Sequence, residues 1–454
     1  MSIDRRRLFA AFAGAASAGA ATPVAAREPV ATATPHAEID ATTLGVRPNA
    51  DIDQSAMLQN AIMRAAAAGS LLRLPPGVYR AGGLQLPPFA AIAGVTGSTR
   101  LVLTAGPSLL TATGSDYVSV SGLVLDGNHA ALPDGRGLVH LAQGRALRLT
   151  DCVIVKAGGD GIRLDAIAGE LTDNTIIDAA NSAVFSNDAA GLRIAGNTVQ
   201  NAGNGGILIW RSKPGDDGTL VVDNRVEDVA NKAGGSGQYG NAINVFRADN
   251  VIVRGNRIRN AAFSAVRGTS ASNLQIAGNT CSGVGECALY AEFGFEGAVI
   301  ANNIVDGAAV GVSVTNFDKG GRLGVVQGNL IRNLRRQQPP GSDSNDTIGI
   351  SVEADTAVVG NVIDSASGIG IQAGWGAYLR DVTVTANVVR GTDFGVAVSV
   401  VPGAGMTLIA DNLISGARRG AIVGMEWTKP VTGDLSKDGA ERYAQLSISG
   451  NRVR

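Results

Sequence analysis

An asparagine set between aliphatic residues recurs from the middle of the chain to its end, mostly at intervals in the low to middle twenties. The copies read "VVDNRV" at Asn224, "VRGNRI" at Asn256, "IAGNTC" at Asn279 and "IANNIV" at Asn303. Asn174, Asn197, Asn329, Asn361, Asn387, Asn412 and Asn451 occupy the same place in further copies. A repeat this short excludes most helical solenoids, whose units need about 33 to 47 residues. Around each Asn the apolar residues alternate with period two, as in Leu192, Ile194, Val199, Ile207 and Ile209, which is the period of a strand.

Many short strands between tight turns, repeated at one coil per repeat, fit an all-β, single-stranded right-handed parallel β-helix. Each coil then carries about three strands, stacked on the next coil at about 4.8 Å. The Asn is expected at a sharp corner, where it tolerates the left-handed conformation. Its amide is expected to bond to the same residue one coil above and below, giving a ladder of Asn174, Asn197, Asn224, Asn256, Asn279, Asn303, Asn329, Asn361, Asn387 and Asn412. Composition agrees: 45% of the 454 residues are hydrophobic, only 4% are aromatic and 61 are glycine, so Val, Ile, Leu and Ala must fill the core. A formal charge of -1 provides no basic field for nucleic acid or an anionic membrane.

The first residues read differently. "DRRRLF" (Asp4 to Phe9) supplies consecutive arginines, Ala10 to Ala21 is an Ala/Gly-rich run, and "VAA" (Val24 to Ala26) offers small residues suited to signal cleavage. The run is too short to span a bilayer, which takes about 20 residues, so no membrane span is expected in the mature chain. The segment resembles a twin-arginine (Tat) export signal, implying the export machinery as a partner and a periplasmic or secreted location. The expected organisation is a signal over 1–26, a disordered linker over 27–39, an N-terminal cap and first coils over 40–115, and β-helix repeats over 116–454. Within the cap, apolar residues at helical spacing predict a helix over 53–68 that covers the first coil. The final phrase "LSISGNRVR" ends in mid-coil, leaving either the insertion Glu426 to Gln445 or another subunit to cover that end. Cys152 stands where other repeats place Asn, while Cys281 and Cys287 are close enough in sequence for either a bridge or two free thiols. His36, His129 and His140 have no clustered partners in the sequence, and no Cys/His spacing suggests zinc.

"LGVRPNADIDQSAMLQNAIMRAAAAGSLLRLPPGVYRAGGLQL" resembles the opening of the pectate-lyase-like superfamily, and "LVLDGN" (Leu123 to Asn128) resembles a first-coil phrase of the same proteins. With its export signal, the whole chain resembles the Tat-translocated bacterial repeat proteins, whose biochemical function is unassigned. The resemblance implies a polysaccharide or oligosaccharide ligand. It does not carry over an activity: the Gly-His-Gly of polygalacturonase-like sites is absent, as is the Tyr-Gly-Phe-Asp-Pro-His phrase of alginate epimerases. The paired acids Asp216 and Asp217 fall in a Gly-flanked insertion, read as lying off any strand.

In such solenoids the strand after the Gly-containing turn forms the functional face. Alternation points Arg163, Phe185, Leu208, Asn244, Arg267, Tyr290, Ser313, Ser351 and Gln372 outward in one column. A second column holds Asp165, Asn187, Trp210, Phe246, Thr269, Glu292, Thr315 and Glu353. Arg267 and Tyr290 are expected side by side, with Glu292 one coil from Arg267 and Glu353 two coils from Glu292, roughly 10 Å along the stack. Arg267, Tyr290, Glu292 and Glu353 are therefore the candidate catalytic set. As a hydrolase the two carboxyls would work across a water; as a lyase Arg267 or Tyr290 would be the base or acid. Asp165, Asn187, Trp210, Tyr239, Asn244, Asn316 and Trp375 are the candidate ligand contacts, the tryptophans because large rings are costly to expose. Tyr239 and Asn316 sit in insertions that would form groove walls. No acidic cluster has clear Ca²⁺ spacing, although Asp160, Asp165 and Asn187 could converge, so no cofactor is assigned. Three readings stay open: a polysaccharide lyase or glycoside hydrolase, a non-catalytic glycan-binding protein, and a structural module of the cell envelope.

Overall fold

A computed structural model describes residues 37–235, 237–336 and 347–454, so the segment read as an export signal lies outside the described residues. The rest winds into a parallel β-solenoid. In the coil around Asn197, Arg193–Ala195 leads into the corner, Thr198–Ala202 leaves it and Gly205–Asp216 forms the third wall. The strands that leave the corner stack into a 15-stranded parallel sheet. The other two walls join into a 29-stranded sheet, because long strands such as Gly137–Thr150 and Asp160–Thr172 run through the bend between them. Inward-facing aliphatics such as Ile194, Val199, Ile207 and Ile209 are fully buried in a core that is continuous along the stack.

The ladder runs unbroken through ten Asn-to-Asn steps, from Asn174 to Asn451. Each Oδ1 accepts from both the backbone N–H and the Nδ2 of the previous rung; Asn256 N and Nδ2 lie 2.9 and 3.0 Å from Asn279 Oδ1. Each Nδ2 also donates to a carbonyl of the preceding coil, as Asn279 does to Val253. Cys152 takes the rung before Asn174, contributing only its backbone N–H to Asn174 Oδ1. The conformational expectation needs correction: the left-handed residue is the one before the Asn. Asp173, Gly196, Asp223, Gly255, Gly278, Asn302, Gly328, Gly360, Ala386 and Asp411 all have positive φ, whereas the ladder residues do not. The preceding residue turns the chain, leaving the Asn side chain free to enter the core and align with its neighbours.

The expected helix is Ser55–Ala67, with Leu58, Ala61, Ile62 and Ala65 buried. Glu38 and Ile39, assigned to the linker, instead pair with Leu71 and Leu72 as part of the strand Glu38–Asp40. Asp216 is the last residue of Gly205–Asp216 and Asp217 is buried beside it, so the acidic pair is not off the strand as read from sequence. At the other end, Lys429–Asp434 folds back antiparallel on Gly420–Glu426. Leu435 beyond it is buried, and Ala440 and Tyr443 pack against the core, so the insertion itself covers part of this end. Cys152, Cys281 and Cys287 are free buried thiols; burial pushes Cys152 and Cys281 up to about 12, which leaves them unreactive at neutral pH. Among the described residues no helix is long and apolar enough to cross a membrane.

Candidate functional site

The strand register places the outward columns as alternation requires. Arg163 lies opposite Phe185, Phe185 opposite Leu208, Leu208 opposite Asn244, Asn244 opposite Arg267 and Arg267 opposite Tyr290. In the neighbouring column Asp165, Asn187, Trp210, Phe246, Thr269 and Glu292 follow one another. Five local arrangements result along this face.

At its N-terminal end Asp165 Oδ2 lies 3.1 Å from His140 Nε2 and 3.2 Å from Arg163 Nε. Burial opposes ionisation of Asp165, but the hydrogen bonds and charge of His140 and Arg163 overcome it and hold the carboxyl below its usual range. His140 therefore has a partner that sequence spacing did not reveal. Asn187 turns to Asp188, its Nδ2 donating to Oδ2 at 3.0 Å, and Asp160 is occupied by Asn181, Ser182 and Arg163. Of the three groups read as a possible Ca²⁺ set, Asp160 and Asp165 are thus bridged by Arg163 while Asn187 turns to Asp188, and among the described residues no cluster of three acidic, His or Cys groups is placed to hold a metal.

Next comes an aromatic strip on three successive coils. The Trp210 ring centroid lies 5.2 Å from Phe185 and 5.3 Å from Phe246, and all three rings are half-buried. The Arg163 guanidinium lies over Phe185 at 4.4 Å and that of Arg247 over Phe246 at 4.6 Å, bracketing the strip. Trp210 Nε1 donates to Asn244 Oδ1 at 2.7 Å, which fixes the indole plane and accounts for the buried Asn244. Phe185 and Phe246 stand in the outward columns, but only the register shows that their rings meet Trp210.

The central arrangement is an ion-pair cluster. Glu292 receives Arg267 through two bonds, Nε to Oε1 at 2.7 Å and Nη2 to Oε2 at 3.0 Å, and Thr269 Oγ1 donates to Oε1 at 2.8 Å. Glu286 takes the remaining side of the guanidinium at 3.2 Å. Arg267 is 8% exposed and Glu292 3%. The loop ahead of the 241–249 strand lies directly on Arg267: a Cβ at Gly237 would fall 2.3 Å from its Nη1. Burial works against the Arg267 charge, yet the bonds and charge of Glu292 raise its pKa above the ordinary value. Arg267 also lies over Tyr290, 5.1 Å from the ring centroid, and burial holds the Tyr290 phenol proton more tightly than usual. Tyr239, in the same covering loop, is half-buried.

Glu353 shares the Glu292 row two coils on, since Ala291 faces Val314 and Val314 faces Val352. It is buried, and its Oε2 accepts the Phe317 N–H at 2.7 Å, at the start of the short turn Phe317–Lys319. Asn316, left-handed at the entry to that turn, directs its Oδ1 to the Phe293 N–H at 3.2 Å. Burial raises Glu353 to about 7, against the pull of the Phe317 and Asn316 amides and with a push from Asp318. Because the folded value exceeds the unfolded one, the protonated carboxyl stabilises the fold at low pH, and that contribution disappears as pH rises from about 4.5 to about 7. Urea unfolding of the wild type is expected to lose about 3 kcal/mol across this window. Glu353→Gln is expected to flatten the profile; an unchanged pH slope in the variant would refute this role.

The C-terminal end of the face carries Trp375, 36% exposed, with its ring 5.6 Å from Trp427 and nearly perpendicular to it. Trp427 comes from the tip of the antiparallel hairpin, so sequence reading, which took that segment only as an end cover, did not place it here. A signal was available: the chain has only 3 tryptophans.

The comparisons bear on the fold. Among the curated proteins none matches. Among solved structures, the N-terminal fragment of the bacteriophage phi29 gene product 12 aligns with a TM-score of 0.56 at 14% identity, covering 92% of this chain and 70% of that one. The pre-mature gene product 12 of the same phage aligns at 0.52 and 14% identity, covering 92% of this chain and 56% of that one, so this chain spans little more than half of the longer phage protein. The family model described as the right-handed β-helix region matches residues 110–226 and 215–428. The chain belongs to the right-handed β-helix family.

Proposed function

We propose that this protein binds a polysaccharide laid along its outward strand face, across Phe185, Trp210 and Phe246. The observation that carries the reading is the strip itself. Three half-exposed rings stand on consecutive coils in a chain with very few aromatics, and guanidinium groups bracket them. Exposed rings are costly in water, and their faces suit the apolar C–H faces of sugar rings. Asn187 and Tyr239 supply polar contacts on either side. Trp210→Ala is expected to weaken polysaccharide binding by at least about tenfold, measured by affinity electrophoresis or calorimetry, with a retained cooperative unfolding transition as the control. Undiminished binding by a folded Trp210→Ala protein would rule the strip out.

Cleavage is the second reading, and Glu353 favours it. At a pKa of about 7 the carboxyl keeps a substantial fraction of its proton at neutral pH, as a general acid must. Reaching a glycosidic oxygen requires the Phe317–Lys319 turn to lift, because Glu353 is spent on its amide. Arg267, Tyr290 and Glu292 would then shape the site, with Arg267 and Glu292 held as a pair.

The protein works outside the cytoplasm, as a member of the Tat-translocated repeat proteins. The consecutive arginines and Ala/Gly-rich run of the first residues support this. Cell fractionation after replacing Arg5 and Arg6 with Lys is its check: the altered chain should stay in the cytoplasm.

A further inference from the structure

The hairpin Gly420–Glu426/Lys429–Asp434 closes a pocket of about 370 Å³ at the C-terminal end of the face. Its size falls within the range of small-molecule sites. Trp375 and Trp427 form two walls at 73° to one another, and buried Phe394 and Met425 contribute apolar lining. The Trp427 ring rests on Gly376, where a Cβ would come within 2.3 Å of it, so the backbone itself sets the position of that wall.

Two polar groups in this pocket are unspent. Gln372 is 9% exposed and lines the cavity, yet its amide makes no hydrogen bond among the described residues. The amide atoms stay open to the cavity, where a ligand's hydroxyl groups can bond to them. Arg419 stacks over Phe394 at 4.5 Å and forms no ion pair among the described residues. The neighbouring acid does not neutralise it: Asp393 is held by Arg418, with Nη2 at 2.7 Å from Oδ1 and Nε at 2.8 Å. Ring stacking leaves the edge of the Arg419 guanidinium, and its fork of donors, free for a carboxylate.

We propose that this pocket is a second saccharide site, separate from the aromatic strip, that takes a carboxylate-bearing sugar at a chain end. The sugar ring seats in the corner that Trp375 and Trp427 form, its hydroxyls bond to the Gln372 amide and its carboxylate pairs with Arg419. The inference rests on the polysaccharide reading above and adds the charge and the end-on mode of the ligand.

The test uses the mature protein carrying Trp210→Phe, so that the remaining tryptophan emission comes from the two pocket rings. It is titrated with a trisaccharide of a uronic acid and with the methyl ester of the same trisaccharide. A saturable change with the acid is expected, weaker by at least about tenfold for the ester and for Arg419→Gln. Gln372→Ala is expected to weaken it as well, and added salt to reduce the acid's advantage. Equal binding of acid and ester, or no effect of Arg419→Gln, overturns the carboxylate assignment while leaving glycan binding intact. No response to either trisaccharide, with wild-type protein still retaining polysaccharide in a Trp210-dependent way, overturns the pocket alone. Silence in both experiments removes the pocket and the polysaccharide reading together.

Discussion

Asn279→Ala, at a rung in mid-stack, is expected to lower the stability of the solenoid by about 3–5 kcal/mol. The side chain makes four hydrogen bonds: Oδ1 accepts from Asn256 N and Nδ2, and Nδ2 donates to Val253 O and Asn303 Oδ1. Truncation leaves the Asn256 backbone N–H and one Asn256 amide hydrogen buried without partners and removes a second bond from the Val253 carbonyl, and each orphan costs about 1–3 kcal/mol. Water cannot compensate readily, because Asn279 is 1% exposed and its neighbours are equally enclosed. Asn451→Ala supplies the control. It ends the ladder, gives acceptor bonds to Asn412 only and is partly exposed, so its loss is expected to be the smaller by about half or more. Urea titration followed by far-ultraviolet circular dichroism reads both; equal losses at the two positions would contradict a cooperative ladder.

Glu292→Ala carries the second large effect. It strands the Arg267 guanidinium at 8% exposure with Glu286 as its remaining carboxylate, and breaking a buried pair from one side costs about 3–5 kcal/mol. The pair itself adds little net stability, since desolvating two charges offsets most of their attraction. Replacing both members with apolar residues, Arg267→Met with Glu292→Leu, is therefore expected to recover most of what Glu292→Ala loses. A double-mutant cycle on the urea midpoint decides the matter. If Glu292→Ala unfolds at the wild-type midpoint, the bidentate pair is not holding this part of the face.

These two cases also show what the sequence could and could not disclose. The ladder was legible because its residues recur at one spacing, and period-two alternation assigned Arg163 through Gln372 to the outward column that the strand register shows. The conformation at the corner was not legible in the same way. Asn is a common left-handed residue, so the sequence points to it, but its amide must project inward to meet two other coils, and the preceding Asp or Gly takes the turn instead. Adjacency of Arg267, Tyr290 and Glu292 followed from spacing, whereas their enclosure did not. It depends on Gly237 and on Glu286, which lie in segments without periodicity. Trp427 with Trp375 was hidden for the same reason, because Trp427 arrives from a hairpin that the repeat does not encode, whereas His140 stands opposite Arg163 on the preceding coil, ahead of the first Asn rung that marks the column.

The helix Ser55–Ala67 and the strand Glu38–Asp40 illustrate the opposite ends of this scale. Helical spacing of Leu58, Ala61, Ile62 and Ala65 locates the first to within two residues. The second is a three-residue strand whose existence depends on pairing with Leu71–Arg73, a contact no local pattern announces.

The central claim is that the outward face engages a polysaccharide, and a binding panel on the mature protein tests it most directly. Melting temperatures are measured against acidic and neutral polysaccharides, while absorbance near 235 nm and reducing-end assays follow the same mixtures for cleavage. A rise in melting temperature with at least one polysaccharide, lost in Trp210→Ala, is expected. Cleavage products that disappear in Glu353→Gln would add catalysis to binding. No shift with any polysaccharide, or a shift that Trp210→Ala leaves intact, would contradict the assignment of the aromatic strip as the binding surface.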